Sequence, residues 1–534
     1  MDFLRSATLV SFLTFLSRIL GLIRDMATTA VLNPRYCDAL FLAWTVPNLF
    51  RKLFGEGALS SAFIPAFVRV EGRGNRVQLK AFVGSVITAL FLVLVSVMVL
   101  LLVLSIVLPP SWMLWLFQGD EAKMKETMAY GRILIPYMII SCIIAQFQGI
   151  LNASQRFLVP ALAPILLNFI WIVSVVTAAY LAADDPEQRG FVISWGIIIA
   201  GTMQVLLFLP SLARRGLLPQ PRLDWKDKDF RNVMAMTAPM VLALSANQLN
   251  ILVDRFVVRA LVAGDGGVTH LYLGNRLMQF PFALIGIALV TAVFPLLAKL
   301  SSEGDREGMK QNLSDAVRIN LFLSIPAAIG LILLARPIIA LFFERGNFTA
   351  ADTTATSHAL IGYTVGLPCL STVMLLTRAF YSMGRWKAPL YSGAALVALN
   401  IVLDFVLVGP LDEAGVALAT SITISLQVFV LIFILRRVVG SMGELAILGG
   451  ALRATLSSVL LGAAVVGTSS LLDGSFHLED DLSGRLLRVA LPILAGLIVY
   501  FLPAMLLCPF EFKSLVDAFR KRPAKKRAAQ EIES

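Results

Sequence analysis

The residues best suited to chemistry here are charges set inside long apolar runs. Arg18, Arg24 and Asp25 lie in the first run, Asp38, Arg51 and Lys52 in the second, and Arg276 in an otherwise uncharged stretch from Leu271 to Ala298. If these runs cross a bilayer, each buried charge costs at least ~2.5–3.5 kcal/mol and marks a functional site by default. A guanidinium fork binds phosphate or carboxylate through two parallel hydrogen bonds. These arginines outnumber the nearby acids. Arg18, Arg24, Arg51 and Arg276 are therefore expected to make a cationic cavity that binds an anionic substrate, with Asp25 and Asp38 as the nearby acids. For any single arginine the competing reading is a structural ion pair, such as Arg24 with Asp25 or Asp38, or a side chain that snorkels to the interface.

A second set is built from oxygen donors. Asn400 and Asp404 are four apart, which puts them on one face of a helix. Asp254 falls in the outer third of the seventh apolar run, and Val416 and Thr420 fall in the first turns of the twelfth. Carboxylate, amide, hydroxyl and carbonyl oxygens are what a hard cation requires. Asp254, Asn400, Asp404, Val416 and Thr420 are expected to hold Na⁺ as a coupling or structural ion. The alternative pairs Asp254 with Arg255 or Arg259 and gives Asn400 an interhelical hydrogen bond.

Signatures of catalysis are missing. The sequence has no GxxxxGK[ST] phosphate loop, no HExxH, no GxSxG and no CxxCH. Cys37, Cys142, Cys369 and Cys508 are scattered without paired spacing, so neither a disulfide framework nor a zinc site is expected. His270, His358 and His477 stand far apart in sequence, which argues against a His-based metal centre. The expectation is a transporter, not an enzyme, with no catalytic residues, no nucleotide and no cofactor beyond Na⁺.

These charges must be positioned by membrane spans. Of the 534 residues, 58% are hydrophobic and 15% charged, and the mean hydropathy is +0.81. Soluble domains run near 45–50% apolar and about 25% charged. A spanning helix needs about 20 mostly apolar residues. Fourteen candidates fall near 6–31, 37–68, 79–108, 127–150, 159–183, 190–212, 232–262, 268–298, 309–335, 353–383, 388–410, 414–436, 447–472 and 484–507. Runs of this length exclude a β-barrel. The fold class is all-α polytopic membrane protein.

The net charge of +11 lies in short loops and not on a soluble face, so nucleic acid is not the partner. Basic residues fill alternate connections, such as 69–80 and 212–231, while Asp120, Asp184, Glu413 and Asp480 mark the intervening ones. Both termini are expected in the cytoplasm. With Arg18, Arg24 and Asp25 inside its apolar stretch, the N-terminus is not expected to be a cleaved signal.

The chain also repeats about every 230 residues: Arg24-Asp25 aligns with Asp254-Arg255, Pro136 with Pro368 and Arg156 with Arg385. Two six-helix lobes, 1–215 and 225–440, are expected, related by a pseudo-two-fold axis along the membrane normal. A hairpin at 445–510, helices 13 and 14, and a basic cytoplasmic tail at 511–534 follow.

The string Ser17-Arg-Ile-Leu-Gly-Leu-Ile-Arg24-Asp25, then Asp38-Ala-Leu-Phe, then the stretch from Pro47 through Arg51-Lys-Leu-Phe-Gly-Glu56-Gly to Pro65 resembles the MurJ (MviN) lipid II flippases. Asn275-Arg276-Leu-Met-Gln-Phe-Pro281 and Lys387-Ala-Pro389 are similar too. The resemblance covers essentially the whole chain. It implies a multi-pass protein of the bacterial inner membrane, within the multidrug/oligosaccharidyl-lipid/polysaccharide flippase superfamily. The implied substrate is lipid II, the undecaprenyl-pyrophosphate-linked peptidoglycan precursor, carried to the periplasmic leaflet by alternating access for cell wall synthesis; membrane lipids are the other implied partner. It further implies that Arg18, Arg24, Arg51 and Arg276 engage the pyrophosphate, that Asp25 and Asp38 share that cavity, that Glu56-Gly57-Ala58 is a gate, and that the hairpin borders a groove for the lipid tail. The spacing of Asn400, Asp404, Val416 and Thr420, with Asp254, matches a sodium site in some members. Thr45 and Gln279 depart from the family pattern, standing where some members carry lysine and glutamate. A polysaccharide-unit flippase or a drug/cation antiporter of the same superfamily is the alternative.

Overall fold

In hydrocarbon a backbone must satisfy its own hydrogen bonds, and a helix does so within one segment. The computed structural model describes residues 2–55, 57–107, 113–475 and 481–520, and among them there is no β-strand. In chain order the helices are α1 (Asp2–Val31), α2 (Pro34–Phe50), α3 (Ala58–Gly72), α4 (Arg76–Val107), α5 (Glu121–Leu134), α6 (Tyr137–Ala153), α7 (Leu158–Leu181), α8 (Pro186–Arg214) and α9 (Lys228–Leu261). There follow α10 (Gly267–Phe282), α11 (Ala288–Glu303), α12 (Arg306–Leu333), α13 (Ala335–Phe343), α14 (Ala350–Val365), α15 (Leu367–Ser382), α16 (Lys387–Val439), α17 (Glu444–Ser475), α18 (Leu482–Leu507) and α19 (Pro509–Arg520).

Among the described residues ten helices are long and apolar enough to cross a membrane, or eleven if α14 and α15, bent by 40°, form one span. The expected fourteen exceed that count for identifiable reasons. The 53-residue α16 holds two expected spans, divided at Asp412, whose φ of 49° and ψ of −139° are not helical. Helices α1 and α9 stand at the first and seventh expected spans and carry Arg18, Arg24 and Asp25, and Asp254, Arg255 and Arg259. The chain is a multi-pass membrane protein. The most apolar part of α4 is only 11% buried within the protein, a surface that hydrocarbon accepts and water does not.

Proline shapes the spans. Pro136 separates α5 from α6, and Pro368 lies in the first turn of α15, just past the bend. Pro47 and Pro281 are each followed by a π-helical turn, Arg51–Gly55 and Ala283–Ile287, whose first residues are 232 positions apart. A proline removes one donor from the ladder, and a wider turn is one way for the ladder to resume. Aspartates in the connections start the helices: Asp120, Asp185, Asp227, Asp305 and Asp481 each accept a bond from a backbone N–H two or three residues further along.

Two compact units result. The first comprises Met1–Thr269 with Phe343–Thr349, and the second His270–Phe342 with Ala350–Ser534. The core of the first gathers Phe63, Phe67, Phe82, Phe147 and Phe208, with Phe63 stacked on Phe82 at 5.7 Å. Phe230 and Val233 of α9 belong to that core, so α9, which the repeat assigns to the second lobe, packs within the first unit. In the second unit, α11, α12, α15 and α16 bury Val290, Leu313, Leu376 and Leu431 together. The hairpin α17–α18 packs on α12 through Leu461, Val465 and Tyr500, and the Tyr500 hydroxyl donates to the Phe322 carbonyl at 2.6 Å.

Candidate functional site

In the first unit, Arg24 is buried and thoroughly held. Its Nη2 lies 2.5 Å and its Nε 2.9 Å from Asp25 Oδ1, and Nη1 donates to Asn168 Oδ1 at 3.1 Å. The Asn168 amide nitrogen donates to the Ser17 carbonyl at 3.0 Å, which fixes its oxygen toward the arginine. The guanidinium also sits 4.4 Å from the Trp171 ring centroid, and Trp171 meets Trp44 edge-on. Asp25, one of the two acids expected to compensate Arg24, is paired with it.

Asp38 does different work. It accepts from the Gly266 and Thr269 N–H groups at 2.9 and 2.8 Å and from the Thr269 hydroxyl at 2.7 Å. Arg259 Nη1 stands 3.7 Å away. A buried carboxylate at the start of α10 meets the exposed N–H groups of a helix terminus. Sequence patterns miss this role because the partners lie 228 and 231 residues away. Thr45 receives a guanidinium: Arg255 donates to its hydroxyl, and to the Phe41 carbonyl at 3.1 Å.

Arg51 is half-buried in the first π-helical turn, with Nε and Nη2 3.1 and 2.8 Å from Asn48 Oδ1. Arg18 is exposed on α1. Of the expected gate, Gly57 precedes α3 with φ −101° and ψ −111°, Ala58 opens that helix, and Glu56 lies outside the described residues. Asp254, buried on α9, accepts from the Asn250 amide at 3.2 Å.

In the second unit, Arg276 is half-buried on α10, next to Asn275 and about one turn from Gln279, whose amides bond to each other. Asn400 and Asp404 are buried on α16. Neither amide atom of Asn400 has a hydrogen-bond partner among the described residues. Beyond the break, Val416 is buried, and the Thr420 hydroxyl donates weakly to its carbonyl at 3.3 Å. A Cβ on Gly415 would stand 2.1 Å from the Leu407 carbonyl oxygen, so glycine permits the return that follows Asp412. Four of the five expected cation ligands thus belong to one unit, and Asp254 belongs to the other. Among the described residues no group of three or more His, Cys, Asp or Glu side chains is placed to hold a metal ion.

The model of the family described as lipid II flippase MurJ matches residues 33–482. A probable lipid II flippase MurJ of Vibrio cholerae is 31% identical over 436 residues, 80% of this chain and 82% of its own. A solved structure described as lipid II flippase MurJ in an inward closed conformation superposes with a TM-score of 0.75 at 27% identity, covering 95% of this chain and all of that one. An inward-facing multidrug resistance transporter of the MATE family, in the MOP superfamily, shares the fold with a TM-score of 0.64 at 16% identity, over 82% of this chain and 99% of its own. The family match runs from the cap of α2 to the start of α18, so the chain belongs to the MurJ family of lipid II flippases, which are transporters and not enzymes.

Proposed function

We propose that this chain moves lipid II across the bacterial inner membrane, from the cytoplasmic to the periplasmic leaflet, by alternating access. The observation that carries the reading is the buried guanidinium of Arg24 in a membrane-spanning chain of this family. A pyrophosphate bearing a glycopeptide does not cross hydrocarbon unaided, because desolvation is prohibitive. Arg24 is held by an anion of the protein's own, Asp25, and a pyrophosphate oxygen competes for the same fork. Arg18, Arg51 and Arg276 add positive charge for the same head group, Asp25 and Asp38 set its balance, and Glu56-Gly57-Ala58 gates access. The polyprenyl tail stays in lipid throughout. Depletion of the protein followed by leaflet-resolved measurement of lipid-linked precursor tests this: precursor should accumulate on the cytoplasmic side, and an unchanged distribution would refute it.

The lobes 1–215 and 225–440, the hairpin 445–510 and the tail 511–534 complete the proposed architecture, with both termini in the cytoplasm. The asymmetry of Lys and Arg between loops supports that orientation. Single cysteines placed in 69–80 and in 481–483, on a background lacking the four native ones, should label from opposite sides.

Na⁺ is proposed as a bound ion at Asn400, Asp404, Val416 and Thr420. The donor set fits: an amide buried without a hydrogen-bond partner is a costly arrangement that a hard cation relieves. Asp254 enters the proposal on the sequence pattern alone. Bound there, the ion would neutralise buried carboxylate charge and tie the two sides of the α16 break.

A further inference from the structure

Outside these sites the second unit contains a buried histidine between two acids. His270, in the first turn of α10, places Nδ1 2.9 Å from Glu413 Oε1 and Nε2 3.0 Å from Asp352 Oδ1. The three residues are 6%, 5% and 7% exposed respectively. Asp352 lies in the first turn of α14, and Glu413 immediately follows the left-handed Asp412 that breaks α16. Three elements distant in sequence therefore meet at one imidazole.

Counting donors sets the proton content. Carboxylates only accept, and a neutral imidazole carries one N–H. Both ring nitrogens face a carboxylate oxygen at hydrogen-bond distance, so two donors are needed. This geometry calls for one proton more than a neutral histidine and two carboxylates supply. That proton sits either on the ring, making it imidazolium, or on one of the acids. Removing it turns a ring lone pair toward an acceptor oxygen and leaves two buried negative charges flanking a neutral ring, with little water to screen them. The other ionisable groups on these three helices are Tyr272 and Arg276 of α10, His358 and Tyr363 of α14, and Lys387, Tyr391, Asp404, Asp412, Arg436 and Arg437 of α16.

We propose that His270, Asp352 and Glu413 form a proton-binding site that clips the start of α10, the start of α14 and the break in α16 together when protonated, and releases them on deprotonation. The ligand proposed is a proton, because each ring nitrogen faces a carboxylate oxygen at hydrogen-bond distance, which is proton-sharing geometry. On the proposed topology all three positions face outward, so the external proton concentration sets the occupancy; that clause rests on the orientation above, whereas the site itself does not. The device would make opening of this end of the unit sensitive to pH.

The chain has three histidines, His270, His358 and His477, so ¹⁵N-histidine labelling of the purified full-length protein reads the site directly. At about pH 7 the His270 signal, identified by its loss in His270→Gln, should show both ring nitrogens protonated or one sharing a carboxyl proton. On titration to alkaline pH, its deprotonation should coincide with about a fivefold rise in hydrogen exchange, corrected for intrinsic rates, at amides around 350–354 and 410–415. His270→Gln should lack that step, and Asp352→Asn or Glu413→Gln should move it toward acid. A singly protonated, carboxylate-free ring in the wild type at about pH 6 would overturn the proposal without any variant needing to fold. An unchanged exchange step in His270→Gln would overturn it as well. In proteoliposomes with only external pH varied, a step that followed internal pH would overturn the orientation while leaving the proton site standing.

Discussion

Arg24 and Asn400 are both polar, both buried in spans, and in opposite conditions. Arg24 has an acid, an amide and an aromatic face around its guanidinium. Asn400 has an amide with no hydrogen-bond partner among the described residues. A satisfied charge is part of the scaffold as well as part of the site, and removing it strands whatever it satisfied. An unsatisfied amide contributes nothing to the scaffold until something binds it. Substitution therefore separates the two sites by sign as well as by size.

The largest effect belongs to Arg24. Arg24→Ala leaves Asp25, 1% exposed, as a buried charge without its nearest cation, and breaking such a pair costs about 3–5 kcal/mol. Both thermal stability and complementation of a flippase-depleted cell should fall. Arg24→Lys should recover little, because an ammonium cannot reproduce contacts to Asp25, Asn168 and Trp171 at once. The sharper variant is Arg24→Met with Asp25→Leu, which removes both charges together. It should regain most of the stability and none of the complementation. If it restored growth, Arg24 would be scaffold only, and the contrast with Asn400 would lose its functional half.

Asn400 should behave the other way. Without Na⁺, Asn400→Leu deletes two buried unpaired atoms and should be neutral or slightly stabilising. With Na⁺ at about a hundred times its Kd, the wild type should gain about 2.7 kcal/mol, visible as a Tm rise over choline. Asn400→Leu, Asp404→Ala and Asp254→Ala should lose that gain. A wild type indifferent to Na⁺, or an Asp254→Ala variant with the full response, would remove the ion or that ligand from the proposal.

Legibility in the sequence followed the range of the interaction. Apolar runs and loop charges are local, and they foretold a helix at each expected span. The Arg24–Asp25 pair joins neighbours and stood among the alternatives. Asp38 was placed with the arginines, and it meets Arg259 as well as Gly266 and Thr269, all more than two hundred residues on, and no spacing rule reaches that far. The wide separation of the histidines argued only against a His-based metal centre, and it carried no signal for His270 meeting Asp352 and Glu413 across 82 and 143 residues. Distance along a chain of many antiparallel spans says little about distance in space. Helix α9 adds a related lesson. Its repeat partner is α1, while its Phe230 and Val233 pack with Phe82 and Phe208; a repeat records ancestry of sequence, and packing records which apolar faces meet.

The smallest predicted effects compare two aspartates that do the same job at different depths. Asp38 closes the start of α10 in a buried setting, and Asp120 caps α5 at the surface, accepting from Lys123 N–H at 2.9 Å. Asp38→Ala strands several buried donors and should cost about 2 kcal/mol. Asp120→Ala leaves its donors to water and should cost about 1 kcal/mol. The surface cap also carries a pH signature. The Lys123 N–H, aided by the Arg35 and Lys123 cations, holds the Asp120 carboxyl below its ordinary range. A depressed carboxyl stabilises the fold fully above its unfolded value near 3.9 and loses that contribution as pH falls through the folded value. The Tm difference between wild type and Asp120→Ala should therefore be constant from neutral pH down to about pH 5 and shrink below about pH 4. A difference that persisted unchanged in that acid range would mean the cap acts through packing and not through its charge.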